Sequence, residues 1–103
     1  MPAPPLPTLR AAGCDEAEAA LTRYQHDAGT TTYSRADAAL QARHDLTGAW
    51  FRANGNAVGP ALQRLSADFG EYRSRLIGEV MADPNEVIGW INSDTQELRG
   101  RCG

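Results

Sequence analysis

The chain has 103 residues, 42% of them hydrophobic and 22% charged, a composition that indicates one small folded domain with a single core. Ten arginines, no lysine and thirteen carboxylates give a net charge of −3, which disfavours the large phosphate-neutralising surface of a nucleic-acid-binding protein. No apolar run approaches the roughly 20 residues that cross a bilayer, so we expect no membrane insertion. Alanine is abundant and β-branched aliphatic residues are scarce, which favours an all-α fold.

The N-terminal residues 1–14 are proline-rich at their start and are predicted to form a flexible tail. Their first residues include neither a basic region nor the apolar helix of a signal peptide. Ala11-Ala12-Gly13-Cys14 is similar to a lipoprotein cleavage box, but no apolar segment precedes it. We therefore interpret this segment as a tail and not as a membrane anchor.

The first predicted helix runs from Asp15 to about Asp45, with acidic residues at its N-terminal end, where the helix dipole favours them. Gly29 and the three threonines after it lower the helix propensity in its middle. The sequence leaves open whether the helix breaks there. A restart near Tyr33 is chemically reasonable, since the residues from Ser34 to Asp37 are similar to a capping box.

Residues 46–56 are predicted to connect this helix to the next one. Gly48 is interpreted as a helix stop, and Asn54-Gly55 is a turn signal. So short a connection makes the two long helices antiparallel neighbours, an α-hairpin. Trp50 and Phe51 bring apolar area to this connection, so we expect them to cap the open end of the helix pair or to contact a partner.

The second predicted helix runs from about Ala57 to Ala82, with Asn56 as its N-cap and Pro60 in its first turn. Its apolar residues recur at heptad spacing and predict a narrow core seam. The seam consists of Val58, Leu62, Leu65, Phe69, Tyr72, Leu76 and Val80. A lone hairpin leaves such a seam half covered, and a second hairpin would complete a four-helix bundle on dimerisation.

A short third helix is predicted from Pro84 to about Arg99, with Asp83 as N-cap, so that the helical domain spans residues 15–99 and a flexible C-terminus spans residues 100–103. Trp90 and Asp94 lie one turn apart on one face of this helix. Two interpretations stay open. Trp90 either packs in the core or remains accessible for recognition, and the helix either extends from the hairpin or folds back to make a monomeric three-helix bundle.

The two cysteines and two histidines suggest no metal site. Cys14 and Cys102 lie near opposite ends of the predicted layout, so we expect two free thiols. His26 and His44 would stand about 27 Å apart along one helix, too far to share an ion. The sequence also contains no nucleophile elbow, P-loop or dinucleotide fingerprint, and we expect no catalytic residues and no cofactor.

The stretch Leu46-Thr47-Gly48-Ala49-Trp50, followed by Gly55 in the predicted turn, resembles the signature of the WXG family. These are small helical-hairpin proteins exported by bacterial type VII (ESX) secretion systems. Arg52 stands where the family motif Trp-x-Gly has its glycine. Trp90 and Asp94, forty positions beyond Trp50, are similar to the family's Tyr-x-x-x-Asp export signal, with Trp90 in place of the tyrosine.

The resemblance implies a non-enzymatic protein that pairs with another helical hairpin as a homo- or heterodimer. It also implies export in the folded state with that partner, with Trp90 and Asp94 recognised by a secretion ATPase. The chain would then be cytoplasmic before export and secreted by a signal-peptide-independent route. The alternative function, from a different class, is a cytoplasmic or phage-encoded helical adaptor or assembly protein with no link to secretion.

Overall fold

The structure, a computed structural model, describes residues 10–103, which form four α-helices and no β-strand. The helices are α1 (Cys14–Asp27), α2 (Thr32–Ala53), α3 (Gly59–Leu76) and α4 (Pro84–Cys102). The predicted all-α class is therefore confirmed. Residues 1–9, the start of the predicted proline-rich tail, lie outside the described residues.

The first predicted helix is broken into α1 and α2 at residues 28–31. Gly29 adopts a positive φ of 59°, and Thr31 is the N-cap of α2. The Ser34 backbone N–H donates to Thr31 Oγ1 at 3.0 Å, while the Thr31 N–H donates to Ser34 Oγ at 3.3 Å. The sequence suggested a capping box from Ser34 to Asp37. In the structure Ser34 is instead the last residue of a box that begins at Thr31, three residues earlier.

The predicted connection at residues 46–56 is wrong over most of its length. α2 continues through Gly48 to Ala53, so Gly48 is not a helix stop, and Trp50 and Phe51 are helical. A single glycine costs a helix only about 1 kcal/mol, which the packing of α2 outweighs. The turn begins at Asn54-Gly55, whose φ angles of 48° and 80° are left-handed as the turn signal predicted.

The end of the second predicted helix is also wrong. α3 ends at Leu76, six residues before Ala82, and Gly78 just beyond it has a φ of 82°. A left-handed glycine at this point closes the helix and turns the chain toward α4. Asp83 caps α4 by accepting a hydrogen bond from the Asn85 N–H at 2.9 Å, and Pro84 opens the helix, as predicted.

Successive helices run antiparallel within one chain. α1 packs on α2, α2 on α3, and α3 on α4. Gly13, just before α1, lies against Ala49 and Ala53 near the end of α2. An added Cβ at Gly13 would come within 2.8 Å of the Ala49 carbonyl oxygen, so this close approach requires glycine. One chain thus supplies four helices because the first predicted helix is two helices.

The core lies along α3 and is filled from all four helices. The largest fully buried side chains are those of Leu46, Val58, Leu62, Leu65, Phe69, Val87 and Leu98. Of the predicted seam, Val58 to Tyr72 are buried, Leu76 is half-buried, and Val80 is 37% exposed because it lies beyond the end of α3. Buried alanines on α1 and α2 let those helices approach closely, and the Tyr24 ring meets the Phe69 ring edge-on at 4.8 Å.

The expectation of two free thiols is wrong, since Cys14 and Cys102 form a disulfide, with their Cα atoms 5.9 Å apart. Cys14 is the first residue of α1, and Cys102 is the last residue of α4, which extends beyond the predicted end at Arg99. The break after α1 and the antiparallel return of α4 place both residues at the same end of the molecule. The sequence-based layout, with one long first helix, placed them at opposite ends.

A bilayer-spanning helix is not found in the described part of the chain, where no helix is both long and apolar enough.

Replacing Phe69 tests the packing of α3. We expect Phe69→Ala to lower the free energy of unfolding by about 3 to 5 kcal/mol, because it removes a fully buried ring and leaves a cavity. Chemical denaturation followed by circular dichroism measures the change. The matched control is Phe51→Ala, where a side chain that is 69% exposed should cost far less. Equal losses in the two variants would contradict this packing.

Thiol titration and reduction test the disulfide. The denatured, unreduced chain should contain no free thiol. Reduction should lower the free energy of unfolding by about 2 to 4 kcal/mol, because a bridge across 88 positions restricts the unfolded chain strongly. The Cys14→Ser/Cys102→Ser double variant should show the same loss and no response to reductant. Two titratable thiols in the unreduced protein would disprove the bridge.

Candidate functional site

The predicted recognition residues Trp90 and Asp94 belong to a charged face between α3 and α4. Residues 64, 68, 71 and 75 share one side of α3, since they step by four, three and four. Residues 86, 90, 94 and 97 of α4 face them. We call the following set the α3–α4 charged face: Arg64, Asp68, Glu71 and Arg75 from α3, and Glu86, Trp90, Asp94 and Glu97 from α4.

Arg75 organises one end of this face. Its Nε donates to Glu71 Oε1 at 3.0 Å and its Nη1 donates to the Asp83 carbonyl oxygen at 2.9 Å. Nη1 also reaches Glu86 Oε1 at 3.4 Å. The side chain is only 9% exposed, so one guanidinium joins the end of α3, the connection and the first turn of α4. Sequence reasoning missed Arg75, since its partners meet only when α4 folds back on α3.

Trp90 is held at the surface by Arg75. The guanidinium carbon lies 5.0 Å from the centroid of the indole ring, a cation–π arrangement. The tryptophan nevertheless stays 40% exposed. It is therefore not a core residue, and a large aromatic surface remains open to solvent in a defined orientation.

Asp94 is less accessible than Trp90. Its side chain is 20% exposed and faces Asp68 and Arg64 of α3, with its Oδ1 3.8 Å from Arg64 Nε. The two predicted signal residues thus share the charged face but differ in their surroundings. Trp90 presents its ring outward, whereas Asp94 is engaged with α3.

Asp68 and Asp94 form a carboxyl pair. Burial, together with the hydrogen bond to Asp94 and the charge on Asp94, raises the pKa of Asp68 to about 8. Asp68 Oδ2 is buried and has no hydrogen-bond partner among the described residues. At neutral pH the raised pKa favours the protonated form of Asp68, and Arg64 lies beside the facing Asp94.

Arg64 is fixed by a second carboxylate on α4. Its Nη2 lies 2.7 Å from Glu97 Oε1, and Arg101 Nη2 approaches the same oxygen at 3.2 Å. The hydrogen bond from Arg64, followed by that from Arg101, holds the pKa of Glu97 below its usual value. These side chains are largely solvent-exposed, so the ion pairs orient the face more than they stabilise the fold.

The residues of the predicted turn motif lie at another place. Trp50 is 36% exposed, and its ring lies beside the start of α3, 3.8 Å from the position that a Cβ on Gly59 would take, an ordinary van der Waals distance. Its ring meets that of Phe51 edge-on at 4.9 Å. Arg52 is exposed in the last turn of α2, and Gly48 is exposed within α2.

The turn motif and Trp90 lie toward opposite ends of α3. Trp50 contacts Gly59 at the start of that helix, and Trp90 contacts Arg75 near its end. Sixteen helical positions separate Gly59 from Arg75, a distance of about 24 Å. The structure therefore brings Trp90 and Asp94 together but places Trp50, Arg52 and Gly55 in a separate region.

The arrangement defines an antiparallel four-helix protein with a polar helix–helix interface. Within residues 10–103, no group of three or more histidine, cysteine or acidic side chains is placed to hold a metal ion. Comparisons with protein-family models, with curated proteins and with solved structures found no match to this chain.

The carboxyl pair predicts that stability falls as pH rises. The pKa of Asp68 is about 8 in the folded chain and near 3.8 in the unfolded chain, so only the folded chain holds this proton between about pH 4 and pH 8. We expect Asp68→Asn to remove this dependence. At pH 8 it should raise the free energy of unfolding by about 1 to 2 kcal/mol, a value reduced for solvent screening of a partly exposed group.

Urea unfolding of the wild type and of Asp68→Asn at several pH values measures this effect. Glu97→Gln is the matched control, because the pKa of Glu97 is lowered and that variant should keep the wild-type fall between pH 4 and pH 8. A difference between wild type and Asp68→Asn that does not change with pH would contradict a protonated pair.

Proposed function

We propose that this chain is a non-enzymatic helical protein of the type VII secretion kind, whose α4 surface around Trp90 is recognised by a secretion ATPase. The supporting observation is that Trp90 remains 40% exposed while Arg75 fixes its ring. An oriented aromatic side chain can anchor a protein–protein contact at a low cost in conformational entropy. In this proposal the chain is cytoplasmic before export and is then secreted by a signal-peptide-independent route.

The α2–α3 hairpin supports the proposed relationship to the WXG family. Trp50 lies one helical turn before the Asn54-Gly55 turn and rests on Gly59 at the start of α3. A tryptophan next to the turn of an antiparallel helix pair is the feature on which the resemblance to the WXG family depends. Arg52 takes the place of the motif's glycine and is exposed, so its side chain does not obstruct the turn.

Asp94 has a narrower role in this proposal than its place in the motif suggests. Its carboxylate contacts Arg64 and Asp68, so it contributes charge at the rim of the recognised surface. The accessible part of the recognised surface is the ring of Trp90.

The proposed partner is another helical hairpin, in a homo- or heterodimer. The seam residues Leu62, Leu65 and Phe69 are already buried within one chain, so the partner would contact the outer surface of the bundle. An intact four-helix protein would then pair with its partner without opening its core.

A helical adaptor or assembly protein, cytoplasmic or phage-encoded, is the second candidate function. It is favoured by the Trp50–Phe51 pair, since Phe51 is 69% exposed beside the α2–α3 turn. An exposed aromatic pair of this kind is typical of a contact surface. Neighbouring genes distinguish the two functions, because a secretion ATPase gene favours export, whereas tail or capsid genes favour the adaptor.

An export assay on Trp90→Ala tests the proposed function. We expect the variant to keep its helical circular dichroism and its melting temperature, because the ring lies at the surface, but to be lost from the culture medium of cells with the cognate system. Phe51→Ala is the matched control and should be exported normally. Normal export of Trp90→Ala would disprove the role of Trp90, and unfolding of that variant would show that its contact with Arg75 is needed for folding and not for recognition.

A further inference from the structure

The edge between α4 and α1 is packed less closely than the three contacts between successive helices. α1, α2 and α3 each pack along the next helix in the chain, whereas α4 and α1 approach closely at few points. A cleft of about 160 Å³ lies along this edge. Leu21 and Tyr24 of α1, Phe69 of α3, and Ile91 of α4 are among the residues that line it. The cleft therefore borders directly on the apolar core.

Few apolar side chains hold α4 in place. Seven residues of α2 and eight of α3 are buried, but only Val87 and Leu98 of the 19 residues of α4 are. Ile91 and Cys102 pack partly buried against the core, and much of the remaining contact with α3 is the charged face, where a carboxyl pair and mostly exposed ion pairs provide little net stability. The helix with the fewest buried apolar contacts is the one expected to open first.

Two links join α4 to α1 directly. Arg99 Nε donates to Glu18 Oε1 at 2.9 Å, and Arg99 Nη2 donates to Glu18 Oε2 at 3.3 Å. Arg99 is 52% exposed, so this ion pair is screened by solvent. The other link is the disulfide between the first residue of α1 and the last residue of α4. The covalent link is thus the stronger of the two.

We propose that the Cys14–Cys102 disulfide is a redox clasp, whose reduction releases α4 from the α1 edge while the α2–α3 hairpin stays folded. Release uncovers the apolar floor of the cleft, including Leu21 and Phe69. The oxidised chain is then a closed bundle, and the reduced chain presents an apolar groove. The inference does not rest on the proposed export function.

The reductant is an external dithiol, and the exchange balances as follows. Its thiolate attacks Cys102 Sγ, since Cys14 is fully buried and Cys102 is partly accessible. A sulfur–sulfur bond forms to Cys102, the original bond breaks, and Cys14 leaves as a thiolate at the N-terminal end of α1, where the helix dipole favours negative charge. The second thiol of the dithiol then displaces Cys102. Two electrons and two protons pass to the cysteines, and the dithiol becomes a disulfide.

Hydrogen–deuterium exchange on the full chain, with and without dithiothreitol, tests the proposal. On reduction, amide exchange in residues 84–102 should accelerate by more than about tenfold, as expected of a locally opened segment. Protected amides of α2 and α3 should also accelerate, because the reduced chain is less stable overall, but in the reduced chain they should stay more than about tenfold slower than those of residues 84–102. The Cys14→Ser/Cys102→Ser double variant should exchange like the reduced protein whether or not dithiothreitol is present.

A second measurement separates local opening from global unfolding. In Trp50→Phe, the remaining tryptophan is Trp90 on α4, and its emission should shift to the red on reduction while most of the helical circular dichroism is retained. Unchanged exchange in α4 would show that the bridge does not hold this helix. Equal exchange rates in α4 and in α2 and α3 of the reduced chain, or loss of most of the helical signal, would show that α4 opens only together with the whole fold. Either result would overturn the proposal.

Discussion

The break between α1 and α2 is the constraint on which the rest of the structure depends. An unbroken helix from Asp15 to Asp45 would be about 46 Å long, whereas α3, with 18 residues, spans about 27 Å. The left-handed Gly29 and the Thr31–Ser34 capping box replace that helix with segments of 14 and 22 residues. Four helices of comparable length then lie side by side, and the antiparallel order places Cys14 beside Cys102.

The parts of the fold that the sequence predicted are those encoded locally. The heptad spacing from Val58 to Tyr72 marks a buried stripe, and Asp83-Pro84 marks a helix start, because each signal acts within one or two turns. The prediction that Gly48 ends the helix was wrong, because the loss of helix stability from one glycine is small compared with the stabilisation that the packing of α2 provides. The disulfide depends on where α4 returns, which no local pattern encodes.

The residues of the candidate site also fall into those that the sequence pattern identified and those that it did not. Trp90 and Asp94 were found because they recur one turn apart on a single helix, a spacing visible in the sequence. Asp68 and Arg75 were missed because their roles arise from contacts across α3 and α4. Burial disfavours the charged form of the Asp68 carboxyl, and Asp94 on the facing helix comes beside it only when α4 lies on α3 in one register. The charged face therefore specifies how α4 packs on α3 but adds little to the strength of that packing.

Because α4 is weakly attached, the proposed redox clasp makes the orientation of Trp90 depend on the redox state of the two cysteines. Arg75 fixes Trp90 only while α4 lies on α3, since its other contacts are to Glu71, Asp83 and Glu86 around the same junction. If reduction frees α4, the stacking on Arg75 is lost and the indole no longer has a defined orientation. A partner that recognises the oriented ring would then bind the oxidised chain, so the proposed recognition before export requires the disulfide to persist in the cytoplasm. A partner that recognises an apolar groove would bind the reduced chain. The same helix would present different surfaces in oxidising and reducing surroundings.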